Sequence, residues 1–249
     1  MTPAIRSTGV YGSAATETGM TMPLPTGWQA NDLCYIGYCL LASSPFLTLP
    51  AGWTEIVPQF VSMQNANTIH GVLRRVLQGG DGAPVFVGAS GRWAGISVAI
   101  TGYKTTPTED TAAVKDDGVL ATFPDVRIPS ITSVTAAALM IGFACTRNGT
   151  SGFPISFAPP AGMTEVAEIS SDVTSNVAIE LCSLTLPTPT TTWVKIATPS
   201  AGTHTGPAPM GTSIVIRDAE APDFDNMILC QETGHHLLQE NRHHLLLES

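Results

Sequence analysis

The chain has 249 residues, 12% of them charged against a usual share of about 25%, with a net charge of −9 and a mean hydropathy of +0.19. That hydropathy argues against a disordered chain. Eleven basic residues, with no cluster beyond Arg74-Arg75, argue against a direct grip on nucleic acid, and apolar stretches such as Leu33 to Leu41 and Ala136 to Phe143 fall well short of the ~20 residues of a membrane-spanning helix.

The N-terminal Met1-Thr2-Pro3-Ala4-Ile5-Arg6 has no apolar core of the kind a secretory signal carries, so assembly in the cytoplasm is expected. Short segments rich in Val, Ile, Thr and Tyr then alternate with Gly, Pro, Asn and Ser clusters, the pattern of an all-β sandwich or barrel. A first half spans residues 5–103. Leu33 to Leu41 is continuously apolar and reads as a strand buried on both faces. Phe46 to Leu49 leads into the turn Pro50-Ala51-Gly52-Trp53. Thr68 to Leu77 alternates and reads as a half-buried strand. Gln78-Gly79-Gly80-Asp81-Gly82 is a turn, and Pro84 to Val87 and Arg92 to Thr101 read as two further strands. The polar stretch 104–122 reads as a crossover. Its Glu109-Asp110 and Asp116-Asp117 read as solvating groups, with calcium coordination as the sharper alternative.

A second half spans residues 123–217, with strands at Val126 to Ile128, Ala138 to Phe143, Ile155 to Phe157, Val177 to Leu186 and Ser213 to Ile216. Pro187 to Thr192 and Pro199 to Pro209 read as long turns. This half repeats the first. Pro50-Ala51-Gly52-Trp53-Thr54-Glu55-Ile56 returns as Pro160-Ala161-Gly162-Met163-Thr164-Glu165-Val166, with an apolar strand before each copy and an alternating strand after it. Proline presets the turn, glycine supplies a positive φ, and Trp53 and Met163 become equivalent core plugs. Glu55 and Glu165 read as solvated strand ends in preference to a catalytic pair. Residues 1–218 are therefore expected to form a jelly-roll-like β-sandwich built from two repeated halves, in preference to two sandwiches in series. Of the five cysteines, Cys34, Cys145 and Cys182 lie in apolar runs and read as free buried thiols, while Cys230 lies in a polar tail.

Residues 219–249 form a linker and a tail of eight-residue units opening at Leu229, Leu237 and Leu245. Thr233-Gly234 and Asn241-Arg242 fall at the same phase and read as hairpin turns between very short strands, with a helix as the alternative. Such a tail is too small to be stable alone and is expected to dock or to drive oligomerisation, through Leu229, Leu237, Leu238, Leu245, Leu246 and Leu247. His235-His236 and His243-His244 read as cross-strand pairs in preference to metal ligands. No metal or cofactor is expected.

The opening turn Pro25-Thr26-Gly27-Trp28-Gln29-Ala30-Asn31-Asp32-Leu33, the segment Gly91-Arg92-Trp93-Ala94-Gly95-Ile96 and the paired Pro-Ala-Gly turns together resemble β-sandwich structural proteins of tailed-bacteriophage and prophage virions. The unit Leu237-Leu238-Gln239-Glu240-Asn241-Arg242 is similar to C-terminal repeats on phage tail and appendage proteins. Asn31 stands where a glycine is usual, as does Arg242. The resemblance implies a non-enzymatic virion subunit (a surface spike, fibre, decoration or tail-associated protein) that forms homo-oligomers, trimers among them, and docks to capsid or tail proteins. It carries no catalytic residues, and no Gly-x-Ser-x-Gly, His-Glu-x-x-His or P-loop occurs. A compatible alternative is a carbohydrate-binding module for host attachment, with Trp28, Trp93 and Trp193 as candidate stacking platforms.

Overall fold

The computed structural model describes residues 2–13, 15–42, 47–62, 67–106, 108–110, 114–116, 125–147, 155–171, 176–200, 209–220, 231–232, 235–240 and 244–247. Among them the regular structure is entirely β. The first half supplies β1 (Ala4–Gly12), β2 (Glu17–Thr21), β3 (Leu33–Ala42), β4 (Thr54–Val61), β5 (Thr68–Val76) and β6 (Val85–Thr101). They form one antiparallel six-stranded sheet in the order β1-β6-β3-β5-β4, with β2 also on β6. β1 and β2 lie end to end along one side of β6, against residues 94–101 and 85–91 respectively, while β3 takes the other side.

The two strands expected at Pro84 to Val87 and Arg92 to Thr101 are thus one strand of 17 residues. Glycine keeps it continuous where it curls. A side chain at Gly88 would strike Leu47, and one at Gly91 would strike the backbone of Leu41.

The crossover supplies β7 (Val114–Asp116), and the second half supplies β8 (Val126–Ile128), β9 (Thr132–Ser133), β10 (Ala138–Arg147), β11 (Phe157–Ala158), β12 (Thr164–Ser170), β13 (Val177–Leu186), β14 (Thr190–Thr191), β15 (Lys195–Pro199) and β16 (Met210–Ile216). β7 lies inside the expected crossover, and β14 and β15 lie in and beside the segments expected to be turns. The five-stranded sheet runs β12-β13-β10-β16-β7. Place by place this is the order of the first sheet: β4 matches β12, β5 matches β13, β3 matches β10, β6 matches β16 and β1 matches β7.

The agreement extends to a smaller layer. β15 sits between β11 and β8, as the start of β6 sits between an isolated bridge at Thr48 and β2. Side-chain bonds match too. Ser97 donates to the Pro23 carbonyl (2.6 Å), and Ser213 donates to the Pro129 carbonyl (2.5 Å). Apart from β7, which the crossover contributes, each large sheet takes its strands from one half of the chain, so the halves are stacked and not interleaved.

The two sheets close over one core. It joins Leu33, Tyr35, Cys39, Val72, Ile96 and Val98 of the first sheet to Leu139, Ile141, Phe143, Cys145, Ile179 and Ile214 of the second. A second cluster lies between the five-stranded sheet and the small layer β11-β15-β8. A third lies on the outer face of the first sheet, around Tyr38, Phe86 and Trp93. The central strands β3 and β10 are therefore buried on both faces, as their unbroken apolar runs require.

The turns follow the sequence logic. Gly52 and Gly162 both adopt φ near +80°, and Trp53 and Met163 donate backbone bonds to the Pro50 and Pro160 carbonyls. Met163 is buried in the second cluster, and Trp53 packs half-buried against the third. Asn31 has φ 71°, the left-handed region that asparagine enters more readily than other non-glycine residues.

In the tail, β17 (Gln231–Glu232), β18 (His235–Glu240) and β19 (His244–Leu247) form a three-stranded sheet in chain order. Leu237 pairs with Leu247 and Leu238 with Leu246. Both expected hairpin turns, and Leu229 and Cys230, lie outside the described residues.

Candidate functional site

Among the described residues, a histidine and two cysteines come together at the centre of the molecule, shut away from solvent. His70 on β5 is fully buried between the sheets. Its Nδ1 donates to the Tyr38 carbonyl (2.7 Å), leaving Nε2 to accept from the Thr212 hydroxyl (3.2 Å). Cys145 Sγ lies 3.2 Å from the same Nδ1, and the Cys39 thiol lies beside that of Cys145. Burial lowers the His70 pKa to about 4, so the ring is neutral at pH 7. Burial, with the Cys39 thiol beside it, pushes the Cys145 thiol well above its ordinary value. A reactive cysteine needs a thiolate at an accessible, electropositive place. This thiol has a neutral imidazole beside it and two sheets around it. Cys34, Cys39, Cys145 and Cys182 are all free and buried.

A fully buried carboxylic acid, Glu180, lies on β13 opposite Ala144 of β10. Neither carboxylate oxygen receives an N–H or O–H. Burial raises its pKa to about 7, with the Cys182 thiol pulling the other way and Glu165 and Glu168 adding to the rise.

The acidic pair of the crossover does not solvate it. Glu109 accepts from the Tyr35 hydroxyl (2.7 Å) and from Arg74 (2.5 Å). Asp110 Oδ2 accepts from the Ser133 hydroxyl (2.7 Å) and from the backbone N–H groups of Val134 (2.7 Å) and Thr135 (3.2 Å). Both residues tie the crossover down. No group of three or more metal-ligating side chains occurs among the described residues.

The three tryptophan candidates separate by burial. Trp93 is fully buried among Tyr38, Phe86 and the rest of the outer cluster, its indole N–H donating to the Glu17 carbonyl (3.3 Å). A ring with no exposed face offers no stacking platform, so this candidate is corrected to a core residue. Trp28 is half-buried against the same cluster. Trp193 is different: 86% of it is exposed.

Its surroundings are built from two tethered segments. Thr192 is buried and its hydroxyl both accepts from the Ile131 N–H (3.0 Å) and donates to the Ile131 carbonyl (3.1 Å). β9 and β14 then pair Thr132 with Thr191, whose exposed hydroxyls lie 2.9 Å apart. Asp110 pins the chain just after β9. Residues 129–135 and 187–194 contain no Asp, Glu, Lys or Arg. Lys195, the next residue, donates to the Ala161 carbonyl (2.9 Å). Thr132 and Thr191 are not singled out by sequence reading. The available signal is the charge-free pair of stretches around a lone tryptophan.

No protein-family model, no curated protein and no solved structure matches this chain. No helix among the described residues is long and apolar enough to cross a membrane.

Proposed function

We propose that this chain is a non-enzymatic structural subunit of a tailed-phage virion, a surface spike, fibre, decoration or tail-associated protein that works by self-assembly and docking. In this reading one structural unit is used twice, and the C-terminal repeat, through Leu237, Leu238, Leu245, Leu246 and Leu247, is the element that assembles or docks. The observation that supports it most is the pair of stacked sheets with one strand order. Such a body spends its residues on layers, and its ionisable interior groups are shut away from solvent. Its outer small layers also present few charges. Thr48, Val85 and Val87 face outward on one side, and Ala158, Ile196 and Thr198 on the other. Nearly charge-free exposed strands suit contact with other protein chains.

The test is light scattering on the full chain and on a chain ending at Asp218. A trimer or other oligomer that reverts to monomer on truncation supports an assembly tail. Two monomers, together with absence of the protein from purified particles, would remove the virion reading. A second reading, host attachment through surface carbohydrate, is favoured by one observation, the exposure of Trp193.

A further inference from the structure

We infer that Trp193, with the hydroxyl pair Thr132–Thr191, forms a binding subsite for an uncharged pyranose ring. The inference rests on the host-attachment reading and narrows it to one place and one ligand class.

The first support is that the fold does not call for this tryptophan. β15 and the start of β6 occupy matching places, with Thr198 and Val87 pairing to Ala158 and Thr48. On that match the residue corresponding to Trp193 in the first half is Gly82, in the turn before β6. The first half builds the same layer with no aromatic ring there. An 86%-exposed indole leaves a large apolar surface in water without a structural return, which burial would relieve.

The second support is the chemistry beside the ring. Over residues 191–193 Thr192 points inside, bonded to Ile131, and its two neighbours Thr191 and Trp193 are exposed. The indole and the Thr191 hydroxyl therefore lie on one face, and Thr132 joins them across the β9–β14 pair. Of the two hydroxyls, one O–H is used in their mutual bond. The other O–H and the remaining lone pairs are free to exchange hydrogen bonds with sugar hydroxyls. A pyranose offers this combination in reverse, an apolar C–H face for the indole and hydroxyls at its rim.

The third support is preorganisation. Thr192 is held to Ile131 by its hydroxyl and its backbone N–H, and residues 133–135 are held by Asp110. The backbone under the ring loses little freedom on binding. Neither segment carries a charged residue, and the adjoining cation, Lys195, is directed to the Ala161 carbonyl, which favours a neutral sugar over a uronic or sialic acid.

The experiment is a printed array of neutral and acidic hexopyranose oligosaccharides, probed with the full chain and with Trp193→Ala, Trp193→Phe and Thr132→Val/Thr191→Val. Light scattering and thermal melting are run on each protein. Expected is retention on neutral glycans, weakened at least about tenfold by Trp193→Ala, largely kept by Trp193→Phe and weakened severalfold by the double valine variant. Melting temperatures should match the parent, because the ring is exposed. Equal retention by parent and Trp193→Ala overturns the subsite while host attachment stands. Retention on acidic glycans alone overturns the neutral class. Retention on nothing overturns both the subsite and host attachment. A fall in oligomer mass on Trp193→Ala assigns the ring to assembly and overturns the subsite.

Discussion

Two facing residues show how closely the sheets fit. A Cβ at Gly37 of β3 would run into the ring of Phe143 of β10. Gly37→Ala is expected to cost about 1–3 kcal/mol through overpacking. Combining it with Phe143→Leu should recover part of that loss, and urea midpoints of the single and double variants measure the coupling. Additive losses would mean that the two sites do not meet.

Two buried titratable groups set opposite pH dependences. The pKa of His70 is lowered to about 4, so its stabilising effect is full above the ordinary histidine value and is lost as pH falls from about 6.5 toward 4. The integrated loss is about 3 kcal/mol. The pKa of Glu180 is raised to about 7, so its contribution is full below about 4.5 and is lost as pH rises toward 7. Between about pH 4.5 and 6.5 the two slopes oppose, and the parent protein should show a shallow dependence. Glu180→Gln should uncover a steep acid loss. His70→Gln should uncover a loss toward neutral pH. Denaturant midpoints at several pH values check this, and parallel curves for all three proteins would refute it.

At the scale of elements, the paired Pro-Ala-Gly turns allow a controlled comparison. Gly52 and Gly162 share φ +80°, so an alanine at either is strained, at roughly 1 kcal/mol or more. Their surroundings differ. A Cβ at Gly162 meets nothing closer than Lys195 Nζ at 3.5 Å, whereas one at Gly52 meets Arg75 Nη1 at 2.7 Å. Arg75 is the ion-pair partner of Asp81 (2.6 Å). Gly52→Ala should therefore lower the melting temperature more than Gly162→Ala, and an equal or smaller loss at Gly52 would show that the Arg75 side chain gives way without cost.

The same elements show what is legible in sequence. β3, β5, β10 and β13 are readable because an unbroken or alternating apolar run reports burial directly. β1 is not, because Ala4-Ile5-Arg6-Ser7-Thr8-Gly9-Val10-Tyr11-Gly12 alternates poorly, is only half-buried, and is held by its backbone ladder to β6. β15 hides among Thr and Pro residues. In β6, Gly88 and Gly91 read as a break, yet they are what lets one strand continue through a curl. Stacking as against interleaving of the halves depends on which strands pair over long separations, and strand count carries no information on that. The tryptophans pose the same problem. Trp28, Trp93 and Trp193 are one residue type, and only their tertiary surroundings divide a core ring from an exposed one.

At the scale of the whole molecule, the shared core makes the halves interdependent. Each sheet buries its inner face only against the other. Leu33, Tyr35, Val72, Ile96 and Val98 have Leu139, Ile141, Phe143, Ile179 and Ile214 as their cover. The sheet edges are matched as well: Gly12 of β1 approaches the Ser170 backbone of β12, and Lys115 of β7 lies 4.7 Å over the Phe60 ring of β4. A fragment of residues 1–103 would carry a complete six-stranded sheet with an apolar face open to water, a surface that promotes association. Self-pairing would not repair it. Gly37 would then face the glycine of its own copy where Phe143 now fills the space, and a cavity at the centre of a core is costly. The fragment alone is therefore expected to aggregate or to remain without fixed tertiary structure. Coexpression with residues 104–218 should yield a soluble one-to-one complex with the circular-dichroism spectrum of the intact body. A stable, monomeric, cooperatively melting 1–103 fragment would show that the first sheet does not depend on the second, and that the inner core is an interface between two independent domains.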